Sequence, residues 1–281
     1  MIRTVQTEII TETIKKMCIE ANYSLSSDMV KAMRKAEEKE ESVLGKQILA
    51  QLQDNLEIAA SDMIPICQDT GMACIFVEIG QEVYVDGNLT EAINEGVRQG
   101  YTEGYLRKSV VNDPVFDRIN TKDNTPAIIH YDIVPGDQLK ITVAPKGFGS
   151  ENMCQVKMLK PSDGIEGVKD FILKVVEDAG PNPCPPIVIG VGIGGTFDHV
   201  TYLAKKAMIK KIEEHHPDPR YRALEEEMLE KVNATGIGPA GFGGKTTALA
   251  LHVETCPTHI AGLPCAVAIC CHVSRHQEVT L

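Results

Sequence analysis

Apolar residues recur at three- and four-residue intervals from residue 4 to residue 58, in TEIITETIKKMCIEA and SDMVKAMRKAEEKEESVLGKQILAQLQDNLEIA, with charged residues between them. A period near 3.6 gathers such positions on one face and predicts amphipathic helices. SLSSD (24–28) supplies N-cap candidates between the two segments, and RKAEEKEES is a solvated helix face. Near residue 60 the texture changes. MACIFVEIG and QEVYVDG read as strands meeting at a Gly-containing turn. LTEAINEGVRQGYTEGYLRKSVV returns to helical spacing. AIIHYDIVPGDQLKITVAPKG predicts a hairpin around Pro-Gly-Asp. GIEGVKDFILKVVEDAG is a helix closed by a glycine, and PPIVIGVG is a buried strand. DHVTYLAKKAMIKKIEEHH and PRYRALEEEMLEKVNATG are helices. From residue 236 onward glycine-rich loops alternate with apolar strands such as PCAVAICC.

No internal repeat and no low-complexity linker interrupts this pattern. The expectation is an α/β fold, with mixed sheets packed with helices behind an N-terminal helical segment at about 1–60, and a single domain over residues 1–281.

Composition narrows the function classes. The chain has 281 residues, a formal net charge of −11 and a pI near 5.2. A basic footprint for nucleic acid is absent, and an anionic substrate needs a local positive pocket against the acidic background. No apolar run reaches the roughly 18 residues of a membrane span. The N-terminal MIRTVQTEIITETIKKM is amphipathic and carries acids, unlike a targeting peptide, so the expected location is the cytoplasm. Nine cysteines are many for such a chain. Their odd number and a reducing compartment argue against a disulfide framework, and no CxxC spacing is present.

Glycines suggest two nucleotide sites and support neither well. GVGIGG fits G-x-G-x-x-G through Gly190, Gly192 and Gly195, which keeps open a dinucleotide-binding protein that uses Gly190–Gly195. The strand with a terminal acid that should follow about 20 residues later is replaced by the charged, helical KKIEEHHPDPRYRALEEE. GIGPAGFGGKTT fails the P-loop count, because Pro239 stands where the first glycine belongs. KGFGSEN, GVGIGG and GPAGFGG are still three small-residue loops. Such loops serve tight turns, or bring backbone N–H groups against an anion.

Three cysteines stand in loops rather than within apolar runs: Cys67 in PICQDTG, Cys184 in NPCPP and Cys271 at the end of AVAICC. Flanking prolines fix the backbone at Cys184 and therefore the direction of its sulfur. Cys18, Cys74 and Cys265 read as core, and Cys154, Cys256 and Cys270 stay open. Three thiolates remote in sequence can hold an iron–sulfur cluster with one iron left without a protein ligand, although no local spacing enforces it.

CQDTG, KGFGSEN, NPCPPIVIGVGIGGTFD, GPAGFGGKTTALALHVETCPTHIAGLP and ICCHVSRH together resemble the N-terminal (α) part of class I fumarate hydratases and the related L-tartrate dehydratases. The resemblance covers nearly the whole chain in order. It implies an oxygen-sensitive hydro-lyase of the tricarboxylic acid cycle type with a [4Fe–4S] cluster, hydrating fumarate to malate, or acting on L-tartrate by the same mechanism. The cluster ligands fall by motif position on Cys67, Cys184 and Cys271. Counting twelve residues from His259 selects Cys271 over the adjacent Cys270. The family's contacts to the small dicarboxylate map onto Gln68, Asp69, Arg107, Gly147, Gly149 and His259. The resemblance also implies a separate β subunit that completes the active site, and a higher oligomer.

The residues allow those roles and plainer ones. Asp69 is placed for proton transfer, or caps the DTG turn as an Asx residue. Arg107 can pair bidentately with a carboxylate, or be a solvated helix arginine. His259 can donate to a substrate oxygen, or be a satisfied structural histidine. Lys245 and Arg275 add positive charge beside glycine-rich and cysteine-containing loops.

Overall fold

The computed structural model describes residues 2–281. In chain order the elements are β1 (Arg3–Gln6), α1 (Thr7–Tyr23), α2 (Ser27–Lys39), α3 (Val43–Asp62), β2 (Met72–Gly80), β3 (Val83–Asp86), α4 (Leu89–Glu103), β4 (Ile128–Val134), β5 (Leu139–Lys146) and α5 (Phe148–Glu151). They continue with β6 (Gln155–Leu159), α6 (Gly164–Ala179), β7 (Ile187–Gly194), α7 (Phe197–Met208), α8 (Pro219–Ala234), β8 (Ala248–Cys256), β9 (Leu263–Cys270) and β10 (Gln277–Thr280). The fold class is α/β with mixed sheets and helices concentrated near the N-terminus, as the patterning predicts. Among the described residues no helix is long and apolar enough to cross a membrane. Two compact units divide the chain: residues 1–25, 55–148 and 275–281 form the first, and residues 26–54 and 149–274 the second.

The first unit is built on a four-stranded sheet in the order β10-β5-β2-β4. β2 is parallel to β4 and antiparallel to β5, and β10 runs antiparallel to β5. The sequence pattern places β2 and β3 on either side of the turn at Gly80, as found, but misplaces one hairpin. β4 and β5 do not pair around Pro-Gly-Asp, because the apolar β2 inserts between them. β3 leaves β2 and pairs parallel with β1 instead. Alternation along β2 and β5 turns Ala73, Ile75, Val77, Ile141 and Val143 into one core with Ile10 and Ile14 of α1 and Ile93 and Val97 of α4. Glycines bring α1 and α4 together: a Cβ at Gly96 would lie 2.6 Å from the Cβ of Ile14, and one at Gly100 2.9 Å from that of Cys18.

The second unit repeats that strand plan with a different outer strand, in the order β6-β9-β7-β8. β7 is parallel to β8 and antiparallel to β9, and β6 runs antiparallel to β9. β7 is buried along its whole length. Ile187, Ile189, Val191 and Ile193 join Phe171, Ile172 and Val175 of α6 and Leu224 and Met228 of α8 in the core. The other face of β7 carries Gly190 and Gly192 under α7. A Cβ at Gly190 would lie 2.1 Å from the Ala204 carbonyl oxygen, and one at Gly192 2.2 Å from that of Val200. Two of the three glycines of the apparent dinucleotide fingerprint, Gly190 and Gly192, therefore sit inside the strand, where they admit a helix, and only Gly195 stands in the turn before α7.

GPAGFGGKTT also has its explanation within this unit. Glu40, 1% exposed, accepts N–H bonds from Lys245 at 3.0 Å, Thr246 at 2.9 Å, Glu41 at 3.0 Å and Ser42 at 3.1 Å. Gly244, at φ +131°, leaves room for that carboxylate: a Cβ there would fall 2.7 Å from Glu40 Oε1. Burial works against the charge, but N–H donors led by Lys245 outweigh it and hold the Glu40 pKa below its ordinary value. The anion this loop cradles is its own chain's side chain.

Candidate functional site

The turn CQDTG runs from the end of α3 into β2, and side chains from several elements of the first unit hold it. Gly71 has φ +76°, and a Cβ there would sit 2.7 Å from backbone atoms of Lys146, so only glycine fits. Tyr101, fully buried on α4, donates its phenol to the carbonyl of Thr70 at 2.8 Å. Burial pushes that phenol well above its ordinary pKa, so it stays a donor. Asn124, also fully buried, donates from Nδ2 to the Gly71 carbonyl at 3.1 Å. Arg275, 5% exposed, donates from Nη2 to the Asp69 carbonyl at 2.6 Å and from Nε to that of Pro145 at 3.4 Å. Its Nη1 is buried without a hydrogen-bond partner among the described residues.

Those clamps leave the Asp69 side chain fixed and half-buried. Oδ1 accepts the N–H of Gly71 at 3.0 Å, the Asx turn anticipated from DTG. Oδ2 accepts the N–H of Phe148 at 2.9 Å. Gly147 lets the backbone approach: a Cβ there would lie 3.1 Å from Oδ2. Structural and chemical readings of Asp69 thus coexist, because a carboxylate oxygen that accepts one N–H keeps a second lone pair.

Arg107 is tied to the same turn through its backbone. Its N–H donates to Thr70 Oγ1 at 2.8 Å, and Thr70 Oγ1 donates to its carbonyl at 3.1 Å. The exposed Arg107 guanidinium has no hydrogen-bond or ion-pair partner among the described residues. It lines a cavity of about 510 Å³ within the first unit, together with Asp69, Ser109, Arg118 and Phe148. Cys67 and Gln68 open the turn. The N–H of Asp69 points at Cys67 Sγ from 3.4 Å, and Cys67 Sγ lies 3.3 Å from Gln68 Oε1.

In the second unit Cys184 is exposed and has φ +55°, an uncommon conformation for a residue other than glycine. Its carbonyl accepts two bonds from His272, from the backbone N–H at 3.4 Å and from Nδ1 at 3.0 Å. That double bond ties the Cys184 turn to the segment that begins at Cys271. Cys270 closes β9 and is 5% exposed, whereas Cys271 lies one residue beyond the strand and is half-buried. Gly149 and His259 belong to this unit as well. His259 is exposed at the turn between β8 and β9, and its Nδ1 accepts the Ala261 N–H at 3.1 Å. That bond leaves the proton on Nε2, free to donate.

The donor chemistry of Cys67 in the first unit, and of Cys184 and Cys271 in the second, suits thiolate ligation. All three stand in turns with accessible sulfur, and Cys67 already receives an N–H. Cys18 and Cys265 are core thiols pushed up to about 12 by burial, which suits them to packing and not to ligation. Cys154 is engaged by the N–H of Ile269 at 3.2 Å. Among the described residues no group of three or more His, Cys, Asp or Glu side chains is gathered to hold a metal ion.

Sequence reasoning missed Tyr101, Asn124 and Arg118, and left Arg275 undecided. A tyrosine on the apolar face of a helix reads as core, and an asparagine in a long polar segment as loop. The signal available was DNTP, a run of turn-forming residues at the close of the loop that begins at Arg107.

Residues 11–280 match the family model described as fumarate hydratase (Fumerase). A protein of Methanocaldococcus jannaschii, provisionally named L(+)-tartrate dehydratase subunit alpha, is 41% identical over 271 residues, covering 95% of this chain and 95% of that protein. L(+)-tartrate dehydratase subunit alpha of Escherichia coli strain UTI89 is 31% identical over 270 residues, covering 95% and 88% of the two chains. The protein of that name from strain K12 is 30% identical over the same length.

Proposed function

The chain belongs to the fumarate hydratase (Fumerase) family, and from that premise we propose that it is the α subunit of a hydro-lyase that adds or removes water across a carbon–carbon bond of a four-carbon dicarboxylate. The observation that carries this reading is the cavity in which the doubly anchored Asp69 carboxylate stands with the unpaired Arg107 guanidinium. Arg107 takes a substrate carboxylate bidentately. Asp69 transfers the proton at the carbon beside it, its oxygens aimed by the Gly71 and Phe148 N–H groups. Gln68 orients substrate through its amide, Gly147 and Gly149 admit substrate close to the backbone, and His259 donates from Nε2 to a substrate oxygen.

Cys67, Cys184 and Cys271 would hold a [4Fe–4S] cluster, which supplies a Lewis acid for a carboxylate and hydroxyl when bound. Arg275, buried against the Asp69 carbonyl, keeps the turn in register. Relatives named as α subunits support a separate β subunit; that it completes the site, and that the assembly is a higher oligomer in the cytoplasm, are parts of the same proposal.

The family description favours fumarate hydration to malate, as in the tricarboxylic acid cycle. The relatives' names favour the second reading, dehydration of L-tartrate. The chain co-purified anaerobically with its β subunit is assayed on both. Turnover of either dicarboxylate supports the hydro-lyase, and the larger kcat/KM chooses the substrate. No turnover of either by an iron-loaded complex contradicts it.

A further inference from the structure

We infer that the loop tip at residues 113–119 is the docking prong of this chain for the β subunit, its apolar side chains seated in an apolar pocket of that subunit. The inference rests on the hydro-lyase reading and deepens it by naming the surface where the partner sits. Val115, Phe116 and Ile119 are 68%, 86% and 57% exposed, three large apolar side chains within five residues. Single exposed apolar side chains are ordinary, but a local group of them marks an interaction site.

The tip is braced from below. At the base of the loop Ser109 N–H donates to Asn124 Oδ1 at 2.7 Å, the same Asn124 that holds Gly71. Farther out, Val111 bridges Asn120 in antiparallel fashion, Asn112 N–H donates to the Ile119 carbonyl at 2.9 Å, and Thr121 N–H donates to that of Val110 at 2.9 Å. At the turn itself Asp113 Oδ1 accepts the N–H groups of Val115, Phe116 and Asp117, and Arg118 Nη1 donates to the Pro114 carbonyl. The turn thus satisfies its own polar groups and leaves its apolar side chains outward. A preformed projection avoids the ordering cost that a slack loop meets on binding, and a rigid aromatic is a favoured anchor at the centre of an interface. Position selects the occupant. Val110, Val111, Pro114 and Arg118 of the same loop line the cavity that holds Asp69 and Arg107, so the tip projects from a wall of that cavity. The subunit proposed to complete the site has to reach this wall, whereas a second copy of this chain on the tip would compete with it for the place.

Hydroxyl-radical footprinting of the unsubstituted chain, alone and in the α–β complex, reads the tip directly. Oxidation of Phe116 is expected to slow about fivefold or more in the complex. An unchanged rate overturns the inference, as does protection already present without the β subunit, which would give the tip to a second copy. In a second arm the complex is diluted and its dissociation followed by mass photometry. Phe116→Ser is expected to raise the dissociation constant about 10-fold or more, with the melting temperature of the α chain unchanged, and Phe116→Leu to restore most of the affinity. A dissociation constant for Phe116→Ser within about twofold of the unsubstituted complex overturns the inference, as does a failure of the unsubstituted chains to associate. A complex in which Phe116 is protected but which turns over no dicarboxylate supports the docking surface and contradicts the hydro-lyase reading instead.

Discussion

Two units of this chain use one strand plan for different ends. In each, a central strand pairs parallel with the strand reached through a helical crossover and antiparallel with the strand that follows. Unit two packs helices on both faces of β7, so Gly190 and Gly192 must be glycine under α7 while the odd positions are large. Unit one stacks α1 and α4 on one face of β2, and uses the crossover after α4 for a long braced loop that carries two arginines. What is a second layer of helix in one unit is a braced, cavity-lining loop in the other. The same sheet can therefore bury itself or serve chemistry, according to what the crossover carries.

The sharpest break in that contrast is expected at Asp69. In the assembled enzyme Asp69→Asn should lower kcat/KM by about 10²–10⁴-fold, because the amide oxygen can keep the Asx turn to Gly71 while its NH2 faces the Phe148 N–H and cannot accept the proton. Retained turnover would reduce Asp69 to a turn cap, and the first unit to scaffold. Next in size is Glu40→Gln in the second unit. It sets an amide donor against backbone N–H groups and should destabilise the chain by about 3–5 kcal/mol in denaturant unfolding. Because the folded Glu40 pKa is depressed, its stabilisation is full above the ordinary glutamate value. It is lost as pH falls below about 4.5.

His252 on β8 gives a second, independent pH signal from the same unit. It is 1% exposed, neither ring nitrogen meets a well-formed hydrogen-bond partner among the described residues, and burial, partly countered by Glu225 and the Glu214 backbone and reinforced by Lys210 and His215, pushes its pKa down to about 4. A histidine held neutral stabilises fully above its unfolded value and loses that contribution as pH falls from about 6.5 to 4, on the order of 3 kcal/mol. Thermal melting across that interval should fall steeply for the native chain and less for His252→Leu; parallel curves would assign the loss to other groups. The smallest effect expected is at Gly192→Ala, about 1–3 kcal/mol, as α7 moves off the strand. An unchanged melting temperature would mean that the helix is not seated on β7 as described.

Much of this architecture could be read from the chain, and the parts that could not share a cause. The continuous apolar run of β7 and the helical periods of α1, α6 and α8 are local signals, and they stand where the patterning puts them. The β4–β5 hairpin was misread because nothing local reveals that β2 enters between them. Glu40 and Lys245 are 205 residues apart, so a loop that looks made for an external anion hides its internal one. At the proposed site, Cys67 and Asp69 drew notice because a thiol and a carboxylate punctuate the PICQDTG turn, whereas Arg107 entered only through the family resemblance. Tyr101, Asn124 and Arg118 were not legible, since their roles depend on which carbonyl or cavity the fold brings to them.

The proposed function makes Cys67, Cys184 and Cys271 the thiolate ligands of a cluster, and iron and acid-labile sulfide counts on the anaerobic α–β complex test it most directly. The account predicts about four irons per α chain in the native protein and in Cys270→Ser, and loss of the cluster in Cys67→Ser, Cys184→Ser and Cys271→Ser. Full iron and sulfide in any of those last three, or cluster loss on replacing Cys270 while Cys271→Ser keeps it, would contradict it.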